Sequence, residues 1–169
     1  MSFFRRLSLG FKSPEPESAS SSLSLAPKSS SGSSWSQTWY SRRSQSITDD
    51  VVVSTVLPAL QNLSKSLLCV SLGQNSIGDD GAVSLSVVLA DCFLLKRLDV
   101  SGNRIGSRGA IALSKIFSSC VSISEVVLSH NPFGDAGGSA IATAFQQCSV
   151  PAIELLQISG CELSSSSIR

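Results

Sequence analysis

Histidine occurs once in the 169 residues, at His130, and tyrosine and methionine occur once each. A lone imidazole directly following Ser129 does not make a nucleophile and base, because those groups must meet in a defined geometry with a third group to orient them. It also cannot build a histidine-rich metal site. Charged residues are scarce at 15%, and the net charge is +1. No clustered basic face follows from that composition, which argues against nucleic acid as a partner. No apolar run reaches the ~20 residues of a membrane helix, and no secretory apolar core follows the first residues. Gly102-Asn103-Arg104 lacks the Gly-Lys-Ser/Thr ending of a phosphate loop. The residues therefore point to no enzyme, no cofactor, no metal and no membrane insertion.

The charge that is present is unevenly spread. Residues 1–46 carry six Lys or Arg against two Glu, whereas the remainder carries seven basic groups against ten acidic ones. Seventeen of those first 46 residues are serine, with Pro14, Pro16 and Pro27 among them. Such a segment buries too little apolar surface to offset its ordering entropy, so residues 1–46 are expected to form a disordered tail. Arg5-Arg6-Leu7-Ser8 and Arg43-Ser44-Gln45-Ser46 suit kinases that select basic residues, and Ser13-Pro14 suits a proline-directed kinase. Ser8, Ser13 and Ser46 are thus the phosphorylation candidates, each bringing negative charge into a basic segment. Residues 1–12 are basic and free of acids, which resembles an organelle transit peptide. Mitochondrial or plastid import therefore stands beside a cytoplasmic location. Ser2 excludes N-myristoylation. Trp35 and Trp39 hold both tryptophans of the chain. As a helix, this piece would place both rings on one face, to dock on another protein or on the rest of the chain.

What the sequence has in abundance is a pattern with a period of 28 residues. Leu67-x-x-Val70-x-Leu72-x-x-Asn75-x-Ile77 is followed by Leu95-x-x-Leu98-x-Val100-x-x-Asn103-x-Ile105, and then by Ile123-x-x-Val126-x-Leu128-x-x-Asn131-x-Phe133. A partial copy starts at Ile153, with Leu156, Ile158, Cys161 and Leu163. The alternating apolar positions predict short strands with one buried face. Asn75, Asn103 and Asn131 offer a carbonyl and an amide to backbone groups of neighbouring turns, and Cys161 takes that place in the last copy. Gly-x-x-Gly follows each of the first three copies. Asp79, Ser107 and Asp135 inside it are predicted N-caps of helices. Each helix carries an apolar stripe: Ala82, Leu85, Val88 and Leu89, then Ala110, Leu113, Ile116 and Phe117, then Gly138, Ile141, Ala144 and Phe145. Cys92, Cys120 and Cys148 recur just after the helices. Packed helices lie ~8–10 Å apart, beyond the ~7 Å Cα reach of a disulfide, so these are expected to be reduced, buried thiols.

These repeats resemble leucine-rich repeats, and the 28-residue unit with a full helix is similar to the ribonuclease-inhibitor-like class. That class is found in NOD-like receptors, Ran GTPase-activating protein and tropomodulin. The resemblance covers residues 65–163. It implies an α/β fold, a right-handed solenoid with parallel strands on the concave side and helices on the convex side. Repeats would begin at 67, 95 and 123, with a partial one from 153, inside a domain spanning 47–169. A helix over residues 49–64, interrupted by Pro58, would cap the first repeat. The function implied is a non-enzymatic scaffold or adaptor that binds another protein through the concave strand face. The alternatives are a regulator of a small GTPase or of actin, acting through Asn75, Asn103 or Arg104 at the rim, and a fragment of a longer array. The polar residues expected on the strand face and its rim are Arg97, Asp99, Glu125, His130 and Gln157, and these are the partner-binding candidates. Weak self-association through the bare edge at Ile153–Leu163 is also expected.

Overall fold

The computed structural model describes residues 38–147 and 153–164. Five parallel strands form one sheet in sequence order: β1 (Thr38–Ser41), β2 (Leu67–Ser71), β3 (Arg97–Asp99), β4 (Glu125–Val127) and β5 (Leu155–Gln157). The expected alternation is met. Leu67, Val70, Leu72 and their equivalents Leu95, Leu98 and Val100 are completely buried. Between the strands run helices α1 (Asp49–Val51), α2 (Leu57–Leu63), α3 (Asp79–Leu89), α4 (Ser107–Ser114), α5 (Ile116–Ser119) and α6 (Gly134–Gln147). Their stripe residues close the other side of the core, with Leu85, Leu113 and Ile141 all buried. Phe117 and Phe145, equivalent positions of successive repeats, stack with ring centroids 4.5 Å apart. This is an α/β solenoid of parallel strands and helices.

The start of the array differs from the expectation. Residues 1–46 were expected to be tail, but Thr38–Ser41 form the first strand and Ile47 is buried in the core. Tyr40 pairs with Val70 and Ser41 with Ser71, an offset of 30 residues. Carried forward, that offset superposes Ile47 on Ile77 and Asp49 on Asp79. The described residues therefore start with a degenerate repeat. The helix expected to be a separate cap is the helical half of that repeat. Serine and arginine in place of the usual leucines hide it, because Arg42 and Gln45 stand where Leu72 and Asn75 stand. Trp39 lies on a strand rather than on the helix its spacing with Trp35 suggested, and Trp35 falls outside the described residues. So do Ser8, Ser13, Cys148 and residues 1–12.

The helix of this repeat is interrupted as Pro58 requires. A π-helical segment, Val52–Val56, joins α1 to α2. Pro58 supplies no N–H, and widening the preceding turn lets the chain continue without the bond a regular helix would lose. Val52, Val56 and Leu60 still face the core.

A candidate binding surface on the strand face

Each asparagine of the repeat joins two turns of the solenoid. Asn103 Oδ1 accepts from Ile77 N at 3.1 Å, and its Nδ2 donates to Leu72 O, Val100 O and Ser101 O at 3.0, 2.9 and 3.2 Å. Asn131 does the same for Ile105, Val100, Leu128 and Ser129. Asn75 reaches back into the degenerate repeat, where its Oδ1 accepts from Gln45 N and Ile47 N and its Nδ2 donates to Arg42 O. Cys161 has only a thiol, which donates to Leu128 O and Ser159 O. With no side-chain carbonyl there, Phe133 N turns to Asn131 O, Gly134 N bonds Cys161 O, and Gly134 takes a left-handed φ of 58°.

The expected N-caps act across repeats instead of within them. Helices α3 and α4 start after Gly78 and Gly106, without a side-chain cap of their own. Asp79 Oδ1 accepts from Gly106 N and Gly109 N, both at 2.8 Å, at the start of the next helix. Asp49 serves Gly78 N in the same way at 2.6 Å, and Asp135 accepts from Ser164 N at 2.7 Å. Ser107, with a hydroxyl to give, donates to Phe133 O at 2.8 Å. Placing the carboxylate one repeat upstream satisfies the free N–H groups of a helix start and ties the turns together.

With asparagines and aspartates committed inside, the other face of the sheet carries what is left. Two rows run across the strands in register. One is Trp39, Cys69, Arg97, Glu125 and Leu155, and the other is Ser41, Ser71, Asp99, Val127 and Gln157. Arg97 and Glu125 face each other on β3 and β4 and form an ion pair, with side chains 39% and 38% exposed. Trp39 is 65% exposed at one end of its row, and Leu155 is 36% exposed at the other. Gln157 is exposed on β5. His130 is exposed at the turn after β4, in a left-handed conformation with φ of 58°. Its ring lies over Gly160, where a Cβ would come within 2.7 Å of Nδ1.

Asp99 is placed otherwise than the sequence suggested. It is buried, and its Oδ1 accepts from Ser101 N at 3.0 Å and Ser101 Oγ at 2.7 Å. Its Oδ2 takes Arg43 Nη1 at 2.8 Å. Arg43 belongs to the turn after β1 and crosses the intervening repeat at Gly73, where a Cβ would stand 2.8 Å from its Nη1. Asn75 and Asn103 are likewise buried, and of the rim residues considered for a GTPase or actin regulator only Arg104 is exposed. Arg43 and Trp39, read from the sequence as parts of a tail, belong to the array. The offset of 30 rather than 28 hid their place in the array.

The thiols are part of the fold. Cys92 Sγ donates to Val88 O at 3.5 Å, and Cys120 Sγ reaches Leu89 O of the preceding repeat at 3.1 Å. Burial pushes the Cys92 thiol up to about 11, with Asp91 adding to the effect. Burial pushes Cys120 to about 12, with Cys92 as the lesser cause. All four cysteines among the described residues are free thiols. Those residues hold no cluster of three or more His, Cys, Asp or Glu able to hold a metal ion, and no helix long and apolar enough to cross a membrane.

The comparison with known families agrees with this period. The Leucine Rich repeat family matches the chain three times, over residues 63–86, 91–114 and 119–142. Its matches take in β2 to β4 and stop short of the strands β1 and β5 at either side. No curated protein matches the chain. Three successive matches at the same 28-residue spacing as the strands and asparagines make this chain a leucine-rich repeat protein.

Proposed function

We propose that the chain is a non-enzymatic interaction module that binds another protein through the strand face. Leucine-rich repeats generally mediate protein–protein interaction, and solenoids present extended surfaces for it. The observation that carries the reading is the row Trp39, Cys69, Arg97, Glu125 and Leu155, which lines up an exposed indole, a half-exposed ion pair and a leucine across five adjacent strands. Tryptophan and arginine dominate the energetics of protein interfaces. Gln157 and His130 extend the surface toward β5, while Asp99 supports it from below.

The test is a selection of displayed peptides against the immobilised chain, with each winner re-measured on variants. Trp39→Ala and the pair Arg97→Ala/Glu125→Ala are expected to weaken binding by roughly tenfold or more, the effect of losing 1.4 kcal/mol or more at a hot spot. Val87→Ala on the helix side is expected to leave it unchanged. Ligands sensitive only to the helix-side variant, or bound by residues 1–37 alone, would refute the surface. The reading also includes weak self-association through β5, which pairs with β4 on one side and with no described strand on the other. Sedimentation equilibrium should then show a concentration-dependent rise in mass, and an ideal monomer throughout would remove that part.

A further inference from the structure

Arg43-Ser44-Gln45-Ser46-Ile47 is at once a basophilic kinase motif and the link between β1 and α1. In the fold, its recognition elements are engaged elsewhere. Arg43, three residues before the acceptor, is ion-paired with buried Asp99. Ile47, one residue after it, is 1% exposed in the core. The backbone between them is fastened to the next repeat: Arg42 N to Ser71 O at 2.8 Å, Ser44 N to Gly73 O at 3.0 Å, Gln45 N and Ile47 N to Asn75 Oδ1, and Ser76 N to Ile47 O at 2.9 Å. Ser44 and Ser46 both hold left-handed conformations, with φ of 56° and 54°. Ser46 itself is exposed. Its hydroxyl is therefore accessible, while Arg43, half-exposed, is held by Asp99, Ile47 is buried, and the segment is kinked at two points rather than extended.

We propose that Ser46 is a phosphorylation site gated by the docking of residues 38–47, modified only when this strap leaves the sheet edge. The co-reactants are ATP and a protein kinase that selects an arginine three residues before the acceptor. The bond from Ser46 Oγ to the γ-phosphorus forms as the bond to the ADP oxygen breaks, and the hydroxyl proton passes to the kinase's carboxylate base. Release costs β1 its pairing with β2 and leaves Asp99 without Arg43, so the competent population is a minor one. The rate scales with that population. The gate is independent of which partner the strand face takes.

The experiment measures initial rates of Ser46 phosphorylation by mass spectrometry, with one basophilic kinase acting on the full chain and on a free peptide of residues 38–50. A minor state of ~0.1–10% predicts that Ser46 in the chain reacts roughly 10- to 1,000-fold more slowly than in the peptide. Asp99→Asn removes the charge that holds Arg43 and should raise the rate in the chain by roughly tenfold. In case that variant does not fold, a second one tightens the strap instead. Ser41→Cys with Ser71→Cys joins residues that face each other in register, on strands ~4.8 Å apart, within disulfide reach. Oxidation should abolish Ser46 modification and reduction should restore it. Equal rates in chain and peptide, an oxidised clamp that leaves the rate unchanged, or a peptide that is not modified at Ser46 would each overturn the proposal.

Discussion

Asn103 and Asn131 each bond four backbone groups and Asn75 bonds five, which makes the asparagine the residue with most to lose. Asn103→Ala strands Ile77 N, while Leu72 O, Val100 O and Ser101 O each lose one of two donors and keep Asn75 Nδ2, Asn131 Nδ2 and Gln74 N. A buried unpaired group costs ~1–3 kcal/mol, and the three lost carbonyl bonds add to it, so the loss should reach about 2–4 kcal/mol by urea denaturation. Asn103→Asp keeps the acceptor but sets a carboxylate against three carbonyls, so it should be at least as damaging. Cys161→Ala should cost less, because the turn before it has already rearranged around a residue that cannot accept. The asparagines were legible in the sequence from their spacing alone. The role of Asp79 was not, because its acidic side chain before a helix reads as a cap of that helix, and the one-repeat displacement exists only in the stacked form.

The raised thiols make a second prediction at the same scale. Cys92 and Cys120 release their protons near 11 and 12 in the folded chain, but near ~8.5 when unfolded. The folded state therefore binds more protons in that interval. Their contribution is complete below about pH 8.5 and is lost as pH climbs toward the folded values. The melting temperature should decline on the alkaline side, and Cys120→Ala should flatten the decline. A slope unchanged by that substitution would show that the thiol does not ionise on unfolding in this range.

At the scale of elements, each helix and strand stands on its neighbours. Leu113 lies at the middle of the stripe of α4, between α3 and α6, and is 1% exposed. Leu113→Ala should cost ~2–5 kcal/mol. That is a large share of the ~5–15 kcal/mol available to a domain, so the array should become partly molten at ambient temperature. A melting temperature equal to that of the wild type would contradict the register of all three helices. Those helices were readable because glycines and leucines mark both their start and their buried face. The helix of the first repeat was readable only in part. Val52, Val56 and Leu60 give its spacing, while Pro58 conceals that it runs on through a π-helical segment.

For the whole molecule, the question is where the array begins. A serine-rich composition predicts a tail through residue 46, because it judges the segment by its own apolar content alone. It fails from Thr38 onward, because those residues need only add a strand to an edge already formed by β2. Backbone hydrogen bonds do most of that, and the side chains required are few: Tyr40 and Ile47 on the core side, and Arg43 aimed at Asp99. The strand face gains its aromatic end from the same addition, since Trp39 sits in register with Cys69. Both the proposed binding surface and the gate at Ser46 depend on this docked strand.

Native-state amide hydrogen exchange tests it most directly. Arg42, Ser44, Gln45 and Ile47 each donate to the following repeat. Their amides should be protected to a degree comparable with those of β2, at least ~10-fold beyond an unstructured chain, since the open state is a minor one. Exchange of these four at the rate of an unstructured chain, beside protected amides in β2 to β4, would remove residues 38–47 from the array and contradict the account.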